Sequence, residues 1–253
     1  MLSIAKSGIK KAARSFGFEI TPVEERRYAD FDEELSELIR AVAPYTLTTP
    51  ERIEALVNAI RYIEKHGIAG DIAECGVWRG GSIMTVIKVL LSFNSTERNI
   101  YLYDTFEGMS APTDEDRSFD NVSASRQMEE ESAEDQASVW CRAGLDEVRD
   151  RVLSLGYPEE KIHFIRGKVE ETIPDTLPGP LALLRLDTDF YESTRHELQH
   201  LYPLLSHQGI MIVDDYGHWQ GCRQAVDEYF ATLGKPVFLN RIDYTGRIMV
   251  KHS

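Results

Sequence analysis

The segment Asp71-Ile-Ala-Glu-Cys-Gly-Val-Trp-Arg-Gly-Gly-Ser82 combines a short apolar run, a glycine-rich turn and the start of a helical pattern. Glycine lets the backbone of a turn come close to a ligand, and a helix N-terminus offers N–H groups that have no partner within the helix. The order of strand, turn and helix predicts the first unit of a nucleotide-binding α/β fold.

Strand and helix patterns alternate after this segment. The runs predicted as strands are 71–75, 100–103, 161–166, 181–186, 209–213, 236–239 and 247–250, and those predicted as helices are 82–93, 137–155, 193–205 and 219–233. Alternation predicts parallel strands joined by helical crossovers. Because only 241–246 separate the last two runs, the last strand is expected to be antiparallel. We therefore predict an α/β, Rossmann-like fold with a seven-stranded, mostly parallel sheet and helices on both faces.

Two regions lie outside this alternation. Residues 1–66 are predicted as an N-terminal helical segment, with helices over 31–42 and 50–65, ahead of a main domain over 67–253. The second helix has good start signals, because Thr49 suits the N-cap and Pro50 the first helical position. Residues 106–136 are rich in acids, and so long a loop in a compact domain is more often a lid than a plain surface loop.

Composition excludes several classes of protein. The formal net charge of -14 disfavours nucleic acid as a partner. The three cysteines have no metal-ligand spacing and are interpreted as thiols of a reducing cytoplasm. No apolar run is long enough to span a bilayer, and the first residues lack the apolar core that is expected of a signal peptide. Residues 1–18 are basic and partly apolar, which permits weak contact with a membrane surface or, more simply, packing on protein.

Acidic residues near the glycine turn indicate the kind of ligand. Glu74 precedes the turn, where an acid disfavours a pyrophosphate and favours a cationic ligand such as S-adenosylmethionine. The glycine spacing also departs from the dinucleotide fingerprint. Asp104 ends the next strand, where an acid can accept the hydroxyl groups of a ribose. Gly167, at the end of the third strand, would let an adenine lie against the backbone.

Two further strands also end in acids. Leu181–Leu186 is followed by Asp187 and Asp189, and Gly209–Val213 by Asp214 and Asp215. Carboxylate oxygens gathered at one edge of a sheet are hard ligands suited to Mg²⁺. His218 follows closely and either takes part in proton transfer or is an ordinary loop histidine.

Four motifs together resemble the macrocin/mycinamicin-type sugar O-methyltransferases. They are Glu74-Cys-Gly-Val-Trp-Arg-Gly-Gly-Ser82, Asp104-Thr-Phe-Glu-Gly108, Leu186-Asp-Thr-Asp-Phe-Tyr-Glu-Ser-Thr194 and Val213-Asp-Asp-Tyr216. The likeness covers residues 65–240. It implies a class I methyltransferase fold, S-adenosylmethionine and Mg²⁺ as cofactors, and a homo-oligomer. This chain departs from the family pattern at Thr188, where a glycine is usual, and in its N-terminal 60 residues.

The resemblance also implies roles for individual residues. Asp187, Asp214 and Asp215 match the metal ligands, and Asp187 matches the general base, with His218 as a second catalytic candidate. The residues expected to contact the cofactor are Glu74, Gly76, Val77, Trp78, Gly80, Ser82, Asp104, Thr105, Phe106, Gly167, Lys168 and Asp187.

The resemblance leaves the acceptor open. A sugar or glycosylated small molecule is expected, and a catechol-type aromatic diol is the main competing acceptor. A nicotinamide-dependent oxidoreductase fits less well, because Glu74 and the glycine spacing disfavour a dinucleotide. A non-catalytic S-adenosylmethionine-binding module also fits less well, because a pure binder does not need the acids at the metal edge.

Overall fold

The computed structural model describes residues 30–132, 139–234 and 236–252. The chain forms two compact units, residues 1–41 and 42–253. Helix α1 (Glu33–Val42) accounts for most of the described part of the first unit. Residues 42–66 belong to the same unit as the sheet, which differs from a boundary at residue 67. The basic segment 1–18 lies outside the described residues.

Seven strands form one sheet in the second unit, in the order β3-β2-β1-β4-β5-β7-β6. The strands are β1 (Asp71–Cys75), β2 (Ile100–Asp104), β3 (Ile162–Arg166), β4 (Leu181–Leu186), β5 (Leu205–Val213), β6 (Asn240–Arg241) and β7 (Arg247–Val250). Strands β1 to β5 are parallel, and β7 runs antiparallel to both of its neighbours. The predicted mostly parallel, seven-stranded sheet with an antiparallel last strand is confirmed.

The register of the sheet decides where the site forms. Cys75 on β1 pairs with Tyr103 on β2 and Leu186 on β4, and Leu186 pairs with Val213 on β5. Parallel strands that pair in this way end together, so the residues that follow them meet at one edge. Those residues are Gly76, Asp104, Asp187 and Asp214.

The helices of the second unit are α2 (Pro50–Lys65), α3 (Gly81–Ser92), α4 (Ala124–Glu130), α5 (Leu145–Leu153), α6 (Val169–Thr172), α7 (Tyr191–His200) and α8 (Gln220–Thr232). Helix α2 begins as predicted, since the Thr49 hydroxyl accepts the N–H of Arg52. Its apolar stripe is buried, and α2 packs on α3. Helix α7 packs between α6 and α8.

Three predicted boundaries are wrong. Residues 236–239 form no strand; the short strand is Asn240–Arg241, because Pro236 lacks an N–H and Phe238 is 79% exposed. The described part of 137–155 is helical only from Leu145, since Gly144 has extended backbone angles. The helix predicted over 193–205 runs from Tyr191 to His200 and is followed by a 3₁₀ turn.

The described part of the predicted lid, residues 106–132, is tied to the main body. Asp116 is fully buried, and its carboxylate accepts the N–H groups of Tyr191 and Thr113, each at 2.7 Å. The side chain of Gln220 donates to the carbonyl of Ser118 at 2.8 Å. These contacts attach the segment to the beginnings of α7 and α8, beside the carboxyl edge of the sheet. Residues 133–136 of the predicted lid lie outside the described residues.

No helix within the described residues is long and apolar enough to cross a membrane.

Candidate active site

A cavity of about 350 Å³ opens at the carboxyl edge of the sheet. Its lining comes from the ends of the parallel strands, from 45–47 before α2, and from the loop before β7. Of the predicted site residues, the lining includes Gly76, Val77, Trp78, Ser82, Asp104, Thr105, Gly167, Lys168, Asp187, Asp214, Asp215 and His218. One cavity therefore joins the predicted cofactor turn to the predicted metal edge.

The glycine turn is shaped by close packing. Gly76 has φ +83°, and a Cβ there would lie 2.0 Å from the carbonyl oxygen of Asp187. Any side chain would collide with the backbone of the neighbouring strand end. Gly80, with φ +87°, is the residue from which α3 begins. Trp78 has φ +47°, which non-glycine residues seldom adopt. The turn is thus built to bring its backbone against the cavity.

Asp104 organises this turn. One oxygen of its carboxylate accepts the N–H groups of Val77 at 2.6 Å and Trp78 at 2.9 Å, and the other accepts the N–H of Phe106 at 2.6 Å. Burial raises the pKa of Asp104, while these backbone donors act in the opposite direction. Asp104 therefore fixes the backbone of the glycine turn against the end of β2.

Asp187, Asp214 and Asp215 come together as predicted. Each offers one carboxylate oxygen, and these oxygens lie within 4.8 Å of one another. Asp214 is 3% exposed, and the other two are partly exposed to the cavity. Three carboxylates at this separation repel one another unless a cation or a proton lies between them.

Two buried arginines balance part of this charge. The guanidinium of Arg185 donates to Glu74 and Asp187, both at 2.7 Å, and to Asp214 at 2.8 Å. The guanidinium of Arg52 forms a short ion pair with Asp214. Its Nε lies 3.1 Å from a carboxylate oxygen of Asp243. Both arginines hold the carboxylates from their buried side. Each charge needs this partner, because an unpaired charge in the interior is very costly.

Acidic charge remains in excess around the cavity. Burial, together with repulsion from neighbouring acids, raises the pKa of Asp187 and of Asp215 well above the usual range. Burial also raises the pKa of Asp189 to about 7. Oδ2 of Asp215 is buried and accepts no hydrogen bond from the described residues. The carboxyl group of Asp189 lies within hydrogen-bonding reach of the Asp215 carboxyl group. Such a cluster favours a cationic ligand.

Three predicted cofactor residues do not line the cavity. Glu74 is 3% exposed and pairs with Arg185, while burial raises its pKa to about 7. Gly80 is the N-cap residue of α3, and the side chain of Phe106 is buried. The structure therefore places Glu74 in the core, paired with the arginine that also holds Asp187 and Asp214.

His218 lines the cavity near an exposed aromatic cluster. Its ring lies 5.7 Å from that of Phe119 and 6.1 Å from that of Tyr244, measured between centroids. Burial lowers the pKa of His218, so the imidazole is neutral near neutral pH. A neutral ring can accept a proton or a hydrogen bond from an acceptor molecule.

Several residues of the site were not among the predicted ones. Arg185 and Arg52 hold the carboxylates, Thr48 accepts a hydrogen bond from Arg185 at 3.1 Å, and Asp243 binds Arg52. A charged residue inside the apolar run of β4 was an available signal for Arg185, because a buried charge needs partners. Arg52 interrupts the buried face of α2 and carries a similar, weaker signal.

The chain matches the macrocin-O-methyltransferase (TylF) family over residues 16–251. It is 33% identical over 202 residues to the 8-demethyl-8-(2,3-dimethoxy-alpha-L-rhamnosyl)-tetracenomycin-C 4'-O-methyltransferase of Streptomyces olivaceus, covering 80% of this chain and 74% of that relative. It is 31% identical over 185 residues to the mycinamicin III 3''-O-methyltransferase of Micromonospora griseorubida, covering 73% and 70%.

Solved structures agree with this relationship. The O-methyltransferase NovP superposes with a TM-score of 0.71 at 29% identity, covering 83% of each chain. The calicheamicin methyltransferase CalS11 has a TM-score of 0.58 at 18% identity, covering 92% of this chain and 95% of its own, and supports the fold. The fold is that of the class I O-methyltransferases, and the chain is an O-methyltransferase that belongs to the macrocin-O-methyltransferase (TylF) family.

Proposed function

We propose that this enzyme transfers the methyl group of S-adenosylmethionine to a hydroxyl group of a sugar or glycosylated small molecule, with Mg²⁺ bound at Asp187, Asp214 and Asp215. One observation carries the proposal. The three-carboxylate cluster opens into the same cavity as the glycine turn and Asp104, in a chain of this family.

The cofactor half of the cavity suits the methyl donor. Asp104 can receive the ribose hydroxyl groups, and the backbone of the turn at Gly76 and Val77 lines the space that we assign to the amino-acid portion. Gly167 and Lys168 line the side of the cavity at the end of β3, where the adenine is expected. The acidic surroundings favour a ligand with sulfonium and ammonium charges.

The metal half fits a hard divalent cation. All three donors are carboxylates, their oxygens lie within 4.8 Å of one another, and Oδ2 of Asp215 lacks a donor among the described residues. Six acids in this region, namely Glu74, Asp187, Asp189, Asp214, Asp215 and Asp243, face two buried arginines, so positive charge is still needed. When bound, Mg²⁺ would stabilise negative charge on a coordinated acceptor oxygen.

The side chains of this chain supply the remaining chemistry. Asp187 lines the cavity and is our candidate for taking the proton of the acceptor hydroxyl, with His218 as the second candidate. Arg185 holds one oxygen of Asp187, which keeps the carboxylate in place during the transfer. Enclosure by the lid segment and Trp219 would position the hydroxyl in line with the methyl group and limit water.

The acceptor class rests on the relatives. One relative is named for 4'-O-methylation of a rhamnosyl-bearing tetracenomycin, and another is the mycinamicin III 3''-O-methyltransferase. A third is demethyldecarbamoylnovobiocin O-methyltransferase of Streptomyces niveus, 31% identical over 202 residues. We extend the glycosylated class to this chain, in biosynthesis of an antibiotic or a polysaccharide. The cytoplasmic location, the homo-oligomer, the lid and the weak membrane contact of 1–18 stay predictions.

Calorimetric titration tests the proposal. S-adenosylmethionine should bind to the full chain, NAD⁺ should not, and Mg²⁺ should bind in a separate titration but not in excess EDTA. A screen of glycosides and catechols with S-adenosylmethionine should then yield methylated glycosides. A folded sample that binds NAD⁺, or that binds no S-adenosylmethionine, would refute the donor assignment; methylation of catechols alone would refute the acceptor class.

A further inference from the structure

Glu197 is a buried acid for which the mechanism above has no use. It lies on α7 with 0% exposure, and its Oε1 accepts the hydroxyl of Thr188 at 2.9 Å. Its Oε2 is also buried, and the thiol of Cys75 donates to the carboxyl group. Burial raises the pKa of Glu197 well above the usual range, opposed by the hydrogen bond from Thr188.

A buried carboxyl group in this place is costly to keep. An aliphatic side chain would fill the same helix position without burying two oxygens that each need a hydrogen-bond partner. Packing alone does not explain the choice of glutamate. The carboxyl group makes two specific hydrogen bonds, one from the hydroxyl of Thr188 and one from the thiol of Cys75.

Thr188 lies at the centre of the turn that carries the metal edge. Asp187 precedes it and Asp189 follows it, with Asp189 at φ +67°. The carbonyl of Thr188 accepts the N–H of Phe190 at 2.7 Å, which closes the turn. The backbone of Asp187 packs on Gly76 from the other side. The turn is held at Asp187 by β1 and at Thr188 by Glu197.

We infer that Glu197 is a positioning residue for the cation site: through the Thr188 hydroxyl it fixes the Asp187–Asp189 turn and thereby aligns Asp187 with Asp214 and Asp215. This inference rests on the proposed Mg²⁺ site. It also gives a purpose to Thr188, since the hydroxyl that departs from the usual glycine is the group that Glu197 holds.

The test measures cation affinity directly. Mg²⁺ is titrated by calorimetry, and Mn²⁺ by electron paramagnetic resonance, into the full chain saturated with S-adenosylhomocysteine. Glu197→Ala should weaken cation binding about 10–100-fold, as for other residues that orient metal ligands. Affinity for S-adenosylhomocysteine should not change. Glu192→Ala serves as the matched control, because Glu192 is on the same helix with a side chain 54% exposed; it should bind cations like the wild type.

Two further variants separate positioning from charge and from general packing. Glu197→Gln keeps an oxygen that can accept from Thr188, so it should stay within about threefold of the wild type. Thr188→Val removes the hydroxyl at nearly constant volume and should match Glu197→Ala. The double variant Thr188→Val/Glu197→Ala should be no weaker than either single variant, since both remove one interaction.

The outcomes separate this inference from the proposed function. A wild-type protein that binds S-adenosylhomocysteine but no divalent cation would refute the Mg²⁺ site and the inference with it. Cation binding that is equal in the wild type and Glu197→Ala would refute the inference alone. Loss in Glu197→Gln as large as in Glu197→Ala, or additive losses in the double variant, would refute positioning through Thr188. If Glu197→Ala loses its folded circular dichroism spectrum, Thr188→Val and Glu197→Gln decide.

Discussion

Arg185 shows how much a single residue can contribute to this site. It stands on a strand of which all six residues are buried, and it joins Glu74, Asp187 and Asp214 through charged hydrogen bonds. Such a residue stabilises little by itself, because removing its charge from water offsets much of the attraction. Its effect is geometric, since one planar guanidinium sets the relative positions of the Asp187 and Asp214 carboxylates, two of the proposed metal ligands.

Asp187 is expected to be indispensable for turnover. Asp187→Asn keeps the shape of the side chain but removes its charge and its capacity to take a proton. Turnover should fall on the order of 10²–10⁴-fold, while affinity for S-adenosylhomocysteine stays nearly constant. Steady-state kinetics and calorimetry measure the two effects. Asp150→Asn, on the exposed side of α5, is the control, and wild-type turnover in Asp187→Asn would contradict the assignment.

Glu74 should make stability depend on pH. Its pKa is raised from 4.5 to about 7 in the folded state. Between these values the folded state keeps a proton that the unfolded state releases, so this group's contribution to stability falls as pH rises through that window. The side chain of Glu74→Gln cannot titrate. Between about pH 5 and pH 8, the free energy of unfolding of this variant should therefore fall by about 1–3 kcal/mol less than that of the wild type.

Urea denaturation at both pH values, in EDTA, measures this difference. Because the other buried acids titrate in both proteins, comparison of the two proteins isolates Glu74. Parallel pH profiles for the wild type and Glu74→Gln would show that the pKa of Glu74 is not raised.

At the scale of elements, the predicted lid is connected to α7 and α8 by side-chain hydrogen bonds. Asp116 accepts the N–H of Tyr191 at the first residue of α7 and packs against Gly221, where a Cβ would lie 2.2 Å from its carboxylate. Deleting 112–130 would therefore remove a helix cap along with the lid, and reduced acceptor use would not by itself identify a lid.

Asp116→Ala should be destabilising. The change leaves the N–H of Tyr191 and the hydroxyl of Thr113 without their acceptor, and we expect a loss of about 2 kcal/mol in the free energy of unfolding. Chemical denaturation measures it, with Asp114→Ala as an exposed control two residues away. A loss below about 0.5 kcal/mol, as for ordinary surface changes, would mean that the cap is dispensable.

Phe119 is the residue of this segment best suited to test acceptor contact. Its side chain is 63% exposed beside His218, so its removal is not expected to disturb the core. Once an acceptor has been identified, Phe119→Ala should raise the KM for that acceptor several-fold with little change in affinity for S-adenosylhomocysteine. An unchanged KM would place the acceptor elsewhere in the cavity.

At the scale of the whole molecule, the cavity gathers residues from the ends of β1 to β5 and from segments before α2 and β7. A ligand bound there should stabilise the second unit as a whole. Saturation with S-adenosylhomocysteine at about 100 times its Kd should contribute about 2.7 kcal/mol, or about 5–10 °C in melting temperature. Differential scanning calorimetry with and without the ligand measures this shift, and an unchanged melting temperature would contradict binding in the folded cavity.

The sheet and the meeting of three acids at its edge could be predicted from the residues alone. Alternating patterns placed five parallel strands, and the acids that follow them were expected at one edge; the structure brings Asp187, Asp214 and Asp215 together there. These features are local, because strand periodicity and the residue after each strand can be identified without knowing the neighbours. The strand predicted at 236–239 is absent, because a strand forms only where a neighbouring strand pairs with it.

The side chains that hold these acids in place could not be predicted from the sequence. Arg52 and Arg185 are 133 residues apart in the chain and meet at Asp214, and Glu197 reaches the metal edge through Thr188. Glu74 was expected at the cofactor and instead pairs with Arg185. A side chain's partner depends on which residues the fold buries beside it, since a buried charge must find a counter-charge wherever the packing supplies one.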